Sequence, residues 1–453
     1  MLKKLLRYPK IALIDTKNTD FFGYKLVLDQ EKIPYQIVEN IKLEFDVVIL
    51  PKDHNLMVRD VLEYIKNGGV IISSYDYNST EGLGTILSAT INTFTPYGDG
   101  LIYYFGYNFG ELILQSKDHA KSVRRNIIAQ WWNYSNQNRI NNNKRQLRIM
   151  FKNILYRVLG PLTQIGYWPH PYQSCFVQRI DADFPISKFY NKTKIINQMF
   201  DIIKEFEDIN FTIFLNYSFP DHIEKIKSIS ENYRNVDLQS HGCDENIKHR
   251  DYCYSLDNLS QYEISSMLFN TISTKNHKIF APPCEQVNKI VLECCQDHNI
   301  KFISAGGLAK DDIPRKCFYG GKEYNIFNIP TSQKEFTDEP GITEEYYVNQ
   351  FRSSIKDNSL FCIYFHPYTL SVSNAKKIIY KFLYYHVIEE KKSGKLWTPF
   401  MKDLAVWWSM RDNVSIVNGE LIFKDETTKK FFSEPQNKLQ IIKWYPDHQK
   451  VIK

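Results

Sequence analysis

The chain has 453 residues, 43% hydrophobic and 24% charged, which excludes a disordered or fibrous protein and leaves room for two or three folded domains. A net charge of +6 is too small at this length to argue for nucleic acid as a partner, and no stretch approaches the roughly 20 apolar residues that span a bilayer. The opening MLKKLLRYPKIALID has no signal-type apolar run, because Arg7, Tyr8, Pro9 and Lys10 interrupt it. The eight cysteines (Cys175, Cys243, Cys253, Cys284, Cys294, Cys295, Cys317, Cys362) lack framework spacing and read as reduced thiols, so a cytoplasmic protein is expected.

Residues 1–115 alternate short apolar runs with amphipathic stretches: KIALID (10–15), a helix-like 22–32, YQIVEN (35–40), FDVVILP (45–51), a helix-like 56–67, GVIISSY (69–75), then LIYYFGYNFGELIL (101–114). This is the β/α pattern of a doubly wound parallel sheet, with Gly68 and Gly69 stopping a helix before the next strand. The segment resembles amidotransferase-like, flavodoxin-like domains. Residues 1–174 contain no Cys, so thiol chemistry is excluded there, and His54 and His119 read as surface residues.

Residues 116–165 read as a basic helical linker, with nine Lys and Arg between Lys121 and Arg157 and no acidic residue among them. A solvated face is the expectation for this run, with contact to an anionic glycan or membrane surface the alternative.

Residues 166–412 hold seven strand-like runs: SCFVQRIDAD (174–183), FTIFLN (211–216), NVDLQSH (235–241), KIFAPP (278–283), KFISAG (301–306), NIFNIPTS (325–332) and LFCIYFHP (360–367). Helical spacing between them predicts a distorted or open TIM-like (β/α)7 barrel. Residues 413–453 read as a small β appendage, in which VSIVNGELIF turns at Asn418-Gly419.

Catalytic side chains of such barrels sit at the C-terminal ends of the strands. Asp181 and Asp183, His241, Pro282 and Pro283, and His366 all fall there. Two carboxylates two residues apart repel, and a cation beside them relieves the repulsion, so that one Asp binds metal while the other is poised as a base. His241 and His249 add imidazoles, making a carboxylate–imidazole set suited to Zn²⁺ and related ions, Co²⁺, Mn²⁺ or Ni²⁺.

On these residues the segment resembles the NodB-like polysaccharide deacetylases, carbohydrate esterase family four. RIDAD (179–183) is similar to the family's first motif, which implies Asp181 as base and Asp183 as metal ligand. SHGCDENIKH (240–249) resembles its His-based metal motif, IFAPPCEQVN (279–288) its groove wall, and IYFHP (363–367) the motif carrying the catalytic His, here His366. LWTPFMKDLAVWWSMRD (396–412) resembles a segment that closes the barrel in some members.

Two departures stand out. The family spaces its two metal-binding His four residues apart, whereas Glu245 occupies that position here. Either the loop carries an insertion and His249 is the ligand, the reading favoured by the HRDYCY that begins there, or Asp244 or Glu245 replaces an imidazole. The groove motif normally opens with an Arg that orients the base; Ala281 stands there, and Arg179 is the candidate substitute.

The resemblance implies metal-dependent removal of N-acetyl groups from amino sugars of a polysaccharide or glycan precursor. The alternatives are a glycan-binding barrel without turnover and a barrel hydrolase of another C–N bond.

Overall fold

The computed structural model describes residues 8–74, 92–105, 107–114, 144–183, 191–243, 256–273, 278–305, 311–332, 343–445 and 449–452. Its first unit runs β1 (Ile11–Ile14), α1 (Thr19–Glu31), β2 (Gln36–Val38), β3 (Val47–Leu50), α2 (Val58–Lys66), β4 (Val70–Ser73), β5 (Phe94–Tyr97), β6 (Gly100–Tyr104) and α3 (Phe109–Leu114). Every residue of β1, β3 and β4 is buried, as expected of strands covered on both faces.

The sheet order is β2-β1-β3-β4-β6-β5, parallel except where the edge strand β5 runs antiparallel to β6. This is the doubly wound sheet expected, with β5 as an unforeseen edge. The Asn18 side chain caps α1 by accepting from Phe21 N–H. Gly23 and Gly110 let α1 and α3 touch backbone to backbone, where any Cβ would collide.

The basic segment departs from expectation. Residues 144–159 form a helix, α4, whose Phe151, Ile154 and Leu155 join the core of the first unit. Lys144, Arg148 and Lys152, four residues apart, make one stripe on it, and all three are buried rather than solvated. Of the rest of the run, Arg145 is half-buried and Arg157 exposed, while Lys121, Arg124, Arg125 and Arg139, like His119, lie outside the described residues. Glu31 at the end of α1 accepts from Lys152 Nζ at 2.9 Å, Gln164 Nε2 at 3.1 Å and the Tyr167 hydroxyl at 2.6 Å. Arg148 lies 3.4 Å from Glu31 through Nε and pairs with Asp311 and Asp312 through its two terminal nitrogens.

All seven expected barrel strands are present: β8 (Ser174–Ala182), β9 (Phe211–Leu215), β10 (Val236–Ser240), β11 (Ile279–Phe280), β12 (Phe302–Ile303), β14 (Lys322–Asn328) and β15 (Leu360–Phe365). β13 (Arg315–Tyr319) adds an antiparallel hairpin partner to β14 that the sequence reading missed. β16 (Leu396–Trp397) pairs parallel with β8, next to the helix Met401–Asp412.

The curled sheet is ordered β13-β14-β12-β11-β10-β9-β8-β15, leaving a seam between β14 and β15. Ser332 bridges that seam: its N–H donates to the Cys362 carbonyl at 2.8 Å, and its hydroxyl accepts from Cys362 N–H at 2.9 Å. β17 (Val414–Val417) and β18 (Glu420–Phe423) form the expected hairpin, with Asn418 and Gly419 both at positive φ. The end of the chain does more than append a hairpin, because β19 (Ile441–Trp444) pairs with both β7 (Leu162–Ile165) and β20 (Gln449–Ile452).

Burial pushes the Glu31 carboxyl up, but Lys152 and Arg148 outweigh it and hold the group below its ordinary value. A lowered native value contributes stability above the ordinary carboxylate range, and that contribution is lost as pH falls through the native value. Glu31→Gln is therefore expected to lower the unfolding free energy by about 3–5 kcal/mol at pH 7, because it leaves two buried cations without their shared anion. Urea unfolding should show the deficit shrinking as the pH is lowered; a deficit independent of pH would contradict this account.

Candidate active site

The site is built from strand ends. Along β8, alternate residues face the barrel interior, which places Arg179 and Asp181 on one side. Arg179 is fully buried, and its Nε and Nη2 donate to the two oxygens of Asp181 at 2.6 and 2.7 Å. Its Nη1 donates to the Ser304 carbonyl at 2.9 Å and hydroxyl at 3.2 Å, and lies 3.6 Å from Glu285 Oε1.

The rings of Phe214 and Tyr364 lie 5.3 and 5.1 Å from the guanidinium carbon. Burial works to raise the Asp181 carboxyl, yet Arg179, with smaller help from His241 and His366, holds it below the usual range. Arg179 itself is pushed up by Asp181 and Glu285 against the cost of burial.

Asp183 follows the end of β8 and is divided between two tasks. Asn216 Nδ2, just past β9, donates to its Oδ1 at 2.6 Å. The other oxygen, Oδ2, faces His241 Nε2 at 3.3 Å and His366 Nε2 at 3.6 Å.

His241 is buried at the end of β10, and its Nδ1 lies 2.8 Å from the Ala281 carbonyl. A carbonyl only accepts, so Nδ1 carries hydrogen, and in the neutral ring Nε2 turns a lone pair toward a carboxylate oxygen. A cation or a hydrogen-bond donor shared between them relieves that opposition. His366, at the end of β15, stacks on Tyr368 with ring centroids 5.3 Å apart.

A divalent cation fits this chemistry. Two acids, Asp181 and Glu285, lie within ion-pair distance of one guanidinium, and Asp183 adds a third carboxylate beside the imidazoles, a formal excess of two negative charges when the imidazoles are neutral. The orientation of His241 by a carbonyl is the usual outer support of a metal-binding imidazole. Among the described residues no group of three or more His, Cys, Asp or Glu is placed to hold an ion. Asp183 and His241 bring one carboxylate oxygen and one imidazole nitrogen to 3.3 Å.

Five of the residues expected at the site, Arg179, Asp181, Asp183, His241 and His366, come together. His249, Asp244 and Glu245 lie outside the described residues. Pro282 and Pro283 follow β11, as expected, and Ala281 contributes its carbonyl where an Arg was expected. Arg179 is not at the surface but inside the barrel. Asn216, Ser304, Glu285 and Thr331 were missed, because a single polar residue after a strand has no signature of its own. The expectation of eight thiols is corrected at Cys284, which is disulfide-bonded.

The fold and site define an open β/α barrel with a carboxylate–imidazole centre at its C-terminal rim. No protein-family model matches the chain, and no curated protein matches it. Among solved structures it is similar to a protein from Mycobacterium smegmatis assigned as a polysaccharide deacetylase, at 16% identity and a TM-score of 0.40, over 53% of this chain and 91% of that one. It is also similar to PuuE allantoinase, at 16% identity and a TM-score of 0.39, over 53% and 92%. A third, the carbohydrate deacetylase Agd3, matches over 90% of this chain and 88% of its own, at 9% identity and a TM-score of 0.39.

Arg179→Gln strands Asp181 as a buried anion, so a loss of about 3–5 kcal/mol at pH 7 is expected. The lowered carboxyl of Asp181 contributes stability above its ordinary range and loses it as pH falls through the native value, so wild type and variant should converge in acid. Chemical denaturation across pH tests this, and equal stability at pH 7 would contradict it.

Proposed function

We propose that this chain is a divalent-metal-dependent hydrolase that removes N-acetyl groups from amino sugars of a polysaccharide or glycan precursor. The observation that carries the reading is the pairing of two unlike carboxylates. Asp181 is clamped by Arg179, while two residues on, Asp183 turns its second oxygen, Oδ2, toward two imidazoles.

The ion would be held by Asp183, His241 and His249, with Zn²⁺ the favoured metal. When bound, it acidifies a water and polarises the acyl carbonyl. Asp181 is kept ionised by Arg179 and takes the proton of the attacking water. Asn216 fixes Asp183 through Oδ1, leaving Oδ2 for the ion. His366, braced by Tyr368, protonates the departing amine nitrogen, a step an amide needs because its unprotonated nitrogen leaves poorly. A backbone N–H in the wall from Pro282 to Glu285 is the candidate donor to the developing oxyanion.

Metal analysis of the purified protein and acetate release from acetylated chito-oligosaccharides test the reading together. Asp183→Ala and His249→Ala should lose the metal. Asp181→Ala should keep it while losing about 10²–10⁴-fold in kcat. Absence of metal from wild type under replete conditions would overturn the hydrolase reading in favour of a glycan-binding barrel.

His366→Ala should lose about 10²–10⁴-fold on the N-acetyl substrate. The same variant should lose far less on an aryl acetate, whose phenolate leaves without a proton. Equal losses on both substrates would remove His366 from the role of acid.

A further inference from the structure

Arg179 is carried by a strand rather than by a loop. It projects from the middle of the buried strand β8, and its guanidinium must lie in one plane to meet both oxygens of Asp181. Rotation about its long side chain is opposed at the far side by two groups, Ser304 after β12 and Glu285 after β11.

Glu285 is itself anchored. Its Oε1 accepts from the Thr331 hydroxyl at 2.7 Å, and Thr331 follows β14 at the edge of the seam. The backbone there takes an uncommon path: Cys284 and Glu285 are consecutive non-glycine residues in the left-handed region, at φ 52° and 55°. Such residues are retained where surrounding contacts over-determine them. Here the turn delivers a buried carboxylate to Nη1 of Arg179, from the same loop that offers Ala281 where an arginine was expected.

We propose that Glu285 is the positioning residue that holds Arg179 on Asp181, so that the groove loop supplies an acid to steady an arginine borne by a strand. The chain Thr331–Glu285–Arg179–Asp181 links the ends of β14 and β11 to β8 and fixes the orientation of the base. The Glu285 carboxylate acts through Arg179 and is not itself placed on a reacting atom. The kinetic consequence rests on the hydrolase reading; the positional one does not.

The test uses the full-length protein with ¹⁵N-labelled arginine, the Arg179 Nε–H signal being assigned by its loss in Arg179→Lys. In wild type this N–H should be strongly protected from solvent exchange. In Glu285→Gln exchange should accelerate by about tenfold or more, with Glu285→Asp intermediate and Thr331→Val changing in the same direction by less. With metal content and KM unchanged, kcat for acetate release should fall about 10–100-fold in Glu285→Gln and recover in part in Glu285→Asp.

Unaltered Arg179 protection in a folded Glu285→Gln variant overturns the proposal whatever the kinetics, as does a kcat loss that is not accompanied by loss of protection. Wild type that releases no acetate refutes the hydrolase reading alone, and the exchange measurement still decides the role of Glu285.

Discussion

The buried guanidinium of Arg179 is the constraint on which the rest of the site depends. A charge at the centre of a barrel costs several kcal/mol to desolvate, and it persists only when anions and carbonyls replace water around it. That requirement draws Asp181, Ser304 and Glu285 to one point from three strand ends. Once Asp181 is committed to Arg179, Asp183 is left to face the imidazoles, so two acids two residues apart acquire different environments.

The same logic recurs at the boundary with the first unit. Glu31 and Arg148 are buried, and each is satisfied by partners from elsewhere in the chain: Lys152, Gln164 and Tyr167 for the acid, Asp311 and Asp312 for the base. Asp311 stands a few residues beyond Ser304, so this pairing and the hold on Arg179 flank one connection after β12. Among the described residues, one buried charge cluster thus lies in the barrel and another at its boundary with the first unit, and removing a charged member of either leaves its partner buried and less compensated.

Much of the fold was legible because the barrel strands are buried on both faces and read as continuous apolar runs, as KIFAPP and LFCIYFHP do. Asp181, Asp183, His241 and His366 were legible because each ends such a run. Arg179 was seen beside the Asp pair, but its hold by Ser304 and Glu285, with Thr331 behind Glu285, was not, since these follow the neighbouring strands β12, β11 and β14, lie far along the chain from Arg179 and have no shared spacing. The basic stripe of α4 misled for a physical reason. Lys144, Arg148 and Lys152 have the spacing of an exposed helix face, and what buries them includes a pair of aspartates more than 150 residues away. β16 is two residues long and carries no periodicity, so only its pairing with β8 reveals it as a strand.

The stripe on α4 also bears on how freely such a chain can be rearranged. Domains joined by a polar tether can be exchanged or deleted with little cost, because their facing surfaces are already solvated. Here the helix ahead of the barrel neutralises acids that belong to the barrel. A fragment beginning after α4 would inherit Asp311 and Asp312 without Arg148, and one ending before the barrel would carry the reverse imbalance. Fusion or truncation that ignores this charge exchange leaves unpaired charge on both parts, so a barrel moved to another setting keeps its pairing only if α4 moves with it.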